Sequence, residues 1–503
     1  MLSPFEEASR CLLCHDAPCT AACLKGQDPA RALRAIRFAN ADAAPLSLDP
    51  SACSGCDAPC EKACIRCGRP VGIVETAGKL AESAPKPAPK PRKAADLGVE
   101  FCGVKCENPF FLASSAVCTN YEMVSAAFEA GWAGVFYKTV CLEDINEVSP
   151  RFDAVDNGDS TFAGFRNMEQ LSENPVETDF DILRRLKKNY PSKVVVASIM
   201  GNSQEEWEKL AHMAEDAGVD MIELNFSCPQ MKIAGMGSDV GQNPELVMFY
   251  TAFVKNAVKI PVIAKMTPNI THISQPACAA HLAGADAISA INTIKSVTMS
   301  ERAEVSGKKT VSGYSGKAVK PIALRFILEM ATNPLLQQPA KGNQYDRLQL
   351  SGIGGIENWR DALEFMELGC QTVQVCTAVM QYGYRIIDDL KDGLSRYMQQ
   401  NGVKSLGDVV GSALGGFVLP SDLDRDTKVF PVWDKEKCLH CGRCYISCRD
   451  GGHQAIIFGE DRTPKLDGHK CVGCHLCRLV CPVGAIGTAR RMDKPHPAAE
   501  KKS

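Results

Sequence analysis

The chain is predicted to be an α/β protein: a central (β/α)8 TIM barrel, with a helical, cysteine-rich module before it and a second cysteine-rich module after it. Three observations carry this. Between about Leu97 and Val418, eight apolar strand candidates alternate with helical stretches, the pattern of a parallel barrel rather than a sandwich or bundle. The 25 cysteines are unevenly placed, with nine before Gly68, eight between Phe101 and Val379 and eight after Lys437. A chain of 503 residues also exceeds one ordinary core, so a large domain with smaller appendages is expected.

In chain order, residues 1–82 form the first module. Cys11, Cys14, Cys19 and Cys23 lie in CLLCHDAPCTAAC, and Cys53, Cys56, Cys60, Cys64 and Cys67 follow a helical-looking stretch, DPARALRAIRFANA. Nine thiols so spaced could hold two cubane clusters, because thiolates favour iron-sulfur centres; zinc is the competing reading. Residues 83–96, SAPKPAPKPRKAAD, read as a semi-rigid polyproline II spacer, which would tether the first module rather than merge it.

The barrel is expected over residues 97–430. Its strands should begin near Phe110, Ala133, Lys193, Asp220, Pro261, Asp286, Leu348 and Thr372, and SQEEWEKLAHMAEDAG is a representative helix. Residues 431–490 form the last module, and 491–503 a polar tail. Cys438, Cys441, Cys444 and Cys448, then Cys471, Cys474, Cys477 and Cys481 with Pro482 behind, repeat the C-x2-C-x2-C-x3-C spacing of two-cluster ferredoxins. In that ferredoxin-like arrangement the fourth cysteine of each run crosses to the other cluster. One [4Fe-4S] centre should use Cys438, Cys441, Cys444 and Cys481, and the other Cys471, Cys474, Cys477 and Cys448.

The totals exclude some function classes. Net charge is -3, so nothing asks for nucleic acid or an anionic membrane. The opening MLSPFEEASR lacks the basic-then-apolar pattern of a signal peptide, and no apolar run reaches membrane-spanning length. A cytoplasmic protein is expected, with iron-sulfur ligation favoured over a secreted disulfide framework.

The chemistry centres on Met221 to Val247. MIELNF reads as a buried strand that opens into Ser227, Cys228 and Pro229, then a loop with Gly235, Gly237 and Gly241. It would deliver Asn225, Ser227 and a thiol to a small planar ligand, and the glycines would let the loop close. A thiol with its ordinary pKa of about 8.5 is mostly protonated at neutral pH and can act as a general acid. The competing reading is a buried cysteine acting as a small hydrophobe. Gly354 and Gly355 in SGIGGI, with Cys376 and Thr377 in VQVCTA, end the last two strands, where barrels bind phosphate. No G-x-G-x-x-G stretch sits between a strand and a helix as dinucleotide binding requires.

NFSCP followed by GMGSDVGQ, with EVSPRF (147–152), AKMTPN (264–269) and SGYSGKAVKPIALR (312–325), resembles the pyrimidine-reducing barrel of the dihydropyrimidine dehydrogenase family, and the matches run from Phe101 to Ile486. The first cysteine block resembles that family's N-terminal iron-sulfur domain and that of the glutamate synthase small subunit. The resemblance implies FMN held by Ala113, Ser114, Lys138, Lys265 and Gly316 together with Gly354, Gly355, Cys376 and Thr377. It implies pyrimidine binding by Asn167, Asn225, Asn292 and Thr293, with Glu169 and Ser227 nearby. Amides suit this task, since each offers both donor and acceptor to an uncharged pyrimidine edge, whereas a carboxylate substrate would call for arginine.

The reaction implied is reduction of the 5,6 double bond of uracil or thymine, with hydride from FMN and a proton from Cys228. Four [4Fe-4S] clusters follow from the resemblance: the two C-terminal ones, a third on Cys11, Cys14, Cys19 and Cys64, and a fourth on Cys23, Cys56, Cys60 and Glu75, the last matched through VGIVE. This chain departs from the family in a shorter Cys56 to Cys60 gap and in its additional Cys53 and Cys67, either of which could displace Cys56 or Glu75. Animal members carry FAD and NADPH domains that bacterial relatives place on a separate subunit. Electrons are therefore expected from a partner flavoprotein (FAD, NAD(P)H) or a ferredoxin, in a homodimer or heterotetramer. Two other readings are a dihydroorotate dehydrogenase-like flavoenzyme and an electron-transfer subunit without pyrimidine chemistry.

Overall fold

A computed structural model describes residues 3–66, 68–83, 94–156, 162–229, 231, 235–300, 304–339 and 347–493. Cys67, most of the proline-lysine spacer (84–93) and most of the polar tail (494–503) lie outside the described residues. Two compact units result, 1–415 and 416–503.

In the first unit, eight parallel strands close into a barrel: β1 (Phe110–Leu112), β2 (Gly134–Phe136), β3 (Val194–Ile199), β4 (Met221–Asn225), β5 (Val262–Lys265), β6 (Ala287–Ala290), β7 (Gln349–Ile353) and β8 (Thr372–Val375). Each pairs with its sequence neighbour, and β8 pairs with β1 to complete the ring. All eight begin within one residue of the positions read from the sequence. The reason is that both strand faces are covered by protein, so each strand is a short continuous apolar run bounded by polar turns. Helices return between strands with side-chain caps that the sequence supplies: Ser203 accepts from the Glu206 amide at the start of 204–216, and Asn358 and Asp361 form a capping box for 359–367.

Two features escaped the sequence reading. A hairpin, Val99–Phe101 with Val104–Cys106, plugs the N-terminal end of the barrel, where Phe101, Cys102 and Cys106 pack on Phe111, Phe136, Val196 and Ile263. A four-stranded antiparallel sheet (Phe152–Asp156, Phe162–Asn167, Ser312–Ser315, Ile294–Ser296) is assembled from the excursions after β2 and β6. Its strands come from segments more than 120 residues apart, so no local periodicity announces it.

The N-terminal module has its own core around Leu33, Ile36, Leu48 and Ile73, and it docks on the barrel instead of hanging from it. Helix Pro29–Arg37 is capped by Asp28. Past its end, Asn40 Nδ2 donates to Asp389 O (2.9 Å), Trp359 Nε1 donates to Ala39 O (3.1 Å) and Arg34 pairs with Asp389 at 2.8 Å. The contact is close because residue 393 is glycine: a Cβ there would lie 2.0 Å from Trp359 Cδ1 and 2.5 Å from Asn40 Oδ1. Backbone-directed hydrogen bonds at a buried seam hold one relative position. Gly393→Ala is expected to cost about 1–3 kcal/mol, as overpacking does, read as a lower unfolding midpoint of the full chain by tryptophan fluorescence; an unchanged midpoint would contradict the docked arrangement.

The second unit pairs strands 427–433 and 486–493 antiparallel, with a smaller ladder of 456–458 on 464–466. Helices 443–451 and 476–479 carry the third and fourth cysteines of the first run and the third of the second. Among the described residues, no helix is long and apolar enough to cross a membrane.

Candidate active site

The barrel's C-terminal mouth holds a cleft. Ala113 follows β1, Lys138 follows β2, Asn225 and Lys265 end β4 and β5, Asn292 follows β6, Gly354 follows β7 and Cys376 follows β8. The structure brings together in this one cleft every residue nominated for flavin or pyrimidine except Ser227: Ala113, Ser114, Lys138, Asn167, Glu169, Asn225, Lys265, Asn292, Thr293, Gly316, Gly354, Gly355, Cys376 and Thr377 all line it, as does Cys228. Ser227 is fully buried behind the wall.

Ser227 nevertheless belongs to the wall's hydrogen-bond chain. Its hydroxyl donates to Asn225 Oδ1 (2.7 Å) and accepts from Asn292 Nδ2 (2.9 Å). Asn225 Nδ2 donates to Thr139 Oγ1 (2.9 Å), which shares hydrogen bonds with Ser114 Oγ (3.0 Å) and Ser198 Oγ (2.9 Å). Ser198 donates to Glu223 Oε1 (3.1 Å), Ser289 donates to Oε2 (2.6 Å), and Lys265 Nζ stands 3.4 Å from Oε1. Sequence reasoning missed Thr139, Ser198, Glu223 and Ser289. The signal was present, since a lone acid and two serines inside apolar strands need partners to be buried.

The electrostatics are internally compensated. Lys138 pairs with Glu169 at 3.1 Å and Lys265 with the fully buried Glu223. Arg151 reaches Glu169 at 3.5 Å and Glu173 at 3.0 Å. Burial pushes the Cys376 thiol above its ordinary value. The same cause lifts the Glu357 carboxyl to about 7 at the cleft edge, against the pull of Lys317 and Arg37.

Residues 237–241 pack back against the Cys228 segment. Ser238 N donates to Cys228 O at 2.9 Å, and a Cβ on Gly241 would collide with Phe226 O at 1.9 Å. That glycine therefore permits close packing of the helical turn 238–241, beyond any freedom it gives the loop.

Twelve of the cysteines outside the barrel stand around three cavities. Cys438, Cys441, Cys444 and Cys481 line one, Cys448, Cys471, Cys474 and Cys477 a second, and Cys11, Cys14, Cys19 and Cys64 a third. These are the crossed groupings anticipated for three clusters. Cys23, Cys56 and Cys60 lie in the same module, whereas Glu75 pairs with Lys79 at 2.6 Å with its side chain 45% exposed.

Residues 96–398 match the family model described as dihydroorotate dehydrogenase, and 432–488 match a 4Fe-4S dicluster domain. The chain belongs to the dihydroorotate dehydrogenase family and is an oxidoreductase carrying a 4Fe-4S dicluster domain. It is 51% identical over 413 residues to the NAD-dependent dihydropyrimidine dehydrogenase subunit PreA of Escherichia coli K12, covering 80% of this chain and 98% of the relative. It is 38% identical over 348 residues to the chloroplastic dihydropyrimidine dehydrogenase (NADP(+)) of Arabidopsis thaliana, covering 66% and 80%. Against the catalytic subunit of dihydroorotate dehydrogenase B (NAD(+)) of Pyrococcus abyssi the identity is 36% over 325 residues, covering 63% and 99%.

The family implies a flavin, and the cleft fits one. Gln374 Oε1 lines it, buried and without a hydrogen-bond partner, an acceptor that a flavin edge could satisfy. Gly355, also in the lining, has φ +75° and a Cβ there would meet the Lys320 backbone at 2.8 Å, so only glycine fits this turn.

The Glu357 shift has a pH consequence. A carboxyl held above its ordinary value of 4.5 contributes stability that is complete below pH 4.5 and is lost as pH rises through about 7. Glu357→Gln should therefore flatten the decline of stability between these limits, by up to roughly 3 kcal/mol, in denaturation midpoints compared pH by pH; parallel profiles would refute the buried-acid assignment.

Proposed function

We propose that the chain reduces the 5,6 double bond of an uncharged pyrimidine, uracil or thymine, with electrons relayed by [4Fe-4S] clusters from a partner flavoprotein or ferredoxin. The observation that carries this reading is the amide-lined wall, Asn167, Asn225, Asn292 and Thr293, next to cations that already have buried carboxylate partners. A substrate carboxylate would face Glu169 and find no arginine among the described lining residues. This favours dihydropyrimidine over dihydroorotate chemistry, although relatives bearing both names align with the chain. The first relative is named a subunit of an NAD-dependent enzyme, which supports a separate electron-donating partner.

When bound, FMN supplies the hydride. The chain's own residues do the rest. Asn225 and Asn292 are held by Ser227 in fixed orientations, and with Asn225 Oδ1 accepting from Ser227 N and Asn292 Oδ1 from Thr293 N, the remaining Nδ2 hydrogen of each can donate to a pyrimidine carbonyl. Lys138 and Lys265 would hold the flavin's pyrimidine end and offset the negative charge of its reduced state. Cys228 holds the proton delivered to C5, and the packed 237–241 segment keeps water from the thiol. Ala113, Ser114, Gly316, Gly354, Gly355, Cys376 and Thr377 seat the cofactor, and Thr377 is steadied by Ser315 at 2.9 Å.

The test is anaerobic turnover of the purified holoprotein with a reduced viologen dye and uracil. Dye reoxidation with loss of pyrimidine absorbance is expected, and Cys228→Ala should retain flavin and iron but slow turnover by roughly 100- to 10,000-fold. Absence of uracil-dependent reoxidation in fully loaded protein would overturn the substrate assignment, and near-normal turnover of the variant would remove Cys228 from proton transfer.

A further inference from the structure

The two N-terminal cysteine groups are copies of one backbone motif. The first runs Cys11, Cys14, Cys19, Cys23 and the second Cys53, Cys56, Cys60, Cys64, and both contain Asp-Ala-Pro-Cys, at 16–19 and 57–60. In each, the second residue between the first two cysteines is left-handed, Leu13 at φ 55° and Gly55 at φ 67°. The alanine two residues before the third cysteine is left-handed as well, Ala17 at φ 46° and Ala58 at φ 51°, and a proline then opens one helical turn, Pro18–Ala21 or Pro59–Lys62. Left-handed backbone is unfavourable for residues with a Cβ, so its recurrence at Leu13, Ala17 and Ala58 marks a geometry the site requires. Alternation of this kind turns backbone N–H groups into an anion-binding concavity, as around iron-sulfur clusters.

The C-terminal module carries the same signature at the same two places. His440 (φ 53°) and Gly473 (φ 75°) lie between the first two cysteines, and Gly442 (φ 75°) and His475 (φ 58°) lie two before the third. In that module the fourth cysteine of each run completes the other cavity: Cys481 joins Cys438, Cys441 and Cys444, and Cys448 joins Cys471, Cys474 and Cys477. The first N-terminal cavity obeys this rule, since Cys64, fourth of the second copy, joins Cys11, Cys14 and Cys19. Exchange between the copies leaves Cys23 to complete Cys53, Cys56 and Cys60.

We propose that the second N-terminal site is an all-thiolate [4Fe-4S] site ligated by Cys23, Cys53, Cys56 and Cys60, with Glu75 outside its coordination. The one-turn helices 18–21 and 59–62 pack on each other, and Cys60 is buried. Cys53 packs against the buried cluster that contains Cys60. Glu75 is engaged by Lys79 one turn along its own exposed helix face. This ligand set places Cys53 where the resemblance implies Glu75. It rests on the reading of the terminal thiols as cluster ligands.

The test counts iron and records electron paramagnetic resonance spectra of the dithionite-reduced full chain, purified anaerobically. Four clusters give about 16 iron atoms per chain. Cys53→Ala is expected to lose about four of them or to change one cluster's spectrum, while Glu75→Ala changes neither. A Cys53→Ala protein with full iron and an unaltered spectrum overturns the assignment. So does a loss of iron in Glu75→Ala, an exposed helix position whose truncation leaves the fold intact. Parent protein with only about eight iron atoms would remove both N-terminal clusters, a failure of the underlying reading that is distinguishable because it precedes any substitution.

Discussion

A carboxylate buried at the centre of the barrel governs the active site. Glu223 is fully buried, and an ion in that position is tolerated only when it is paired and hydrogen-bonded on all sides. Lys265, Ser198 and Ser289 meet that demand, one from each of three neighbouring strands. Because Ser198 is committed to Glu223, Thr139 is fixed, then Asn225, Ser227 and Asn292 in turn. The wall that would read a substrate is the far end of a chain anchored in the core. Such a network is rigid when every member is satisfied, and it delivers amide groups at fixed orientation to a mouth whose loops are otherwise free to vary.

The same demand for pairing shapes the cleft's charge. Lys138 and Lys265 each have a carboxylate close by, so these two cations are already compensated within the wall, while the exposed Lys317 also lines the cleft. Glu169 both holds Lys138 and adds a negative charge to the cleft lining.

How much of this could be read beforehand follows from what is local. The eight strands were legible because burial on both faces leaves an uninterrupted apolar run, and the C-terminal cysteine groupings because their spacing is short and repeated. Cys228, Asn225 and Lys265 were visible as polar residues at strand ends. The antiparallel sheet beside the mouth was not, since Phe165 meets Ser315 across 150 residues of sequence. Glu223 was in plain view inside MIELNF, yet its partners sit on β3, β5 and β6. The docking of the first module was hidden by its spacer, because proline and lysine report on the linker while Asn40, Trp359 and Gly393 decide the contact. Glu75 was assigned through a short matched string, and the duplicated left-handed turns that point to Cys53 exist only in three dimensions.

The claim that the cleft is made for an uncharged pyrimidine is tested most directly by binding. Flavin-loaded protein would be titrated with uracil and, separately, with orotate, following the perturbation of the flavin absorbance bands. Saturable perturbation by uracil, with orotate at least tenfold weaker (a difference of about 1.4 kcal/mol), is the expected result. Tighter binding of orotate would contradict the account, since it would mean that the paired lysines and Glu169 do not set the charge of the site.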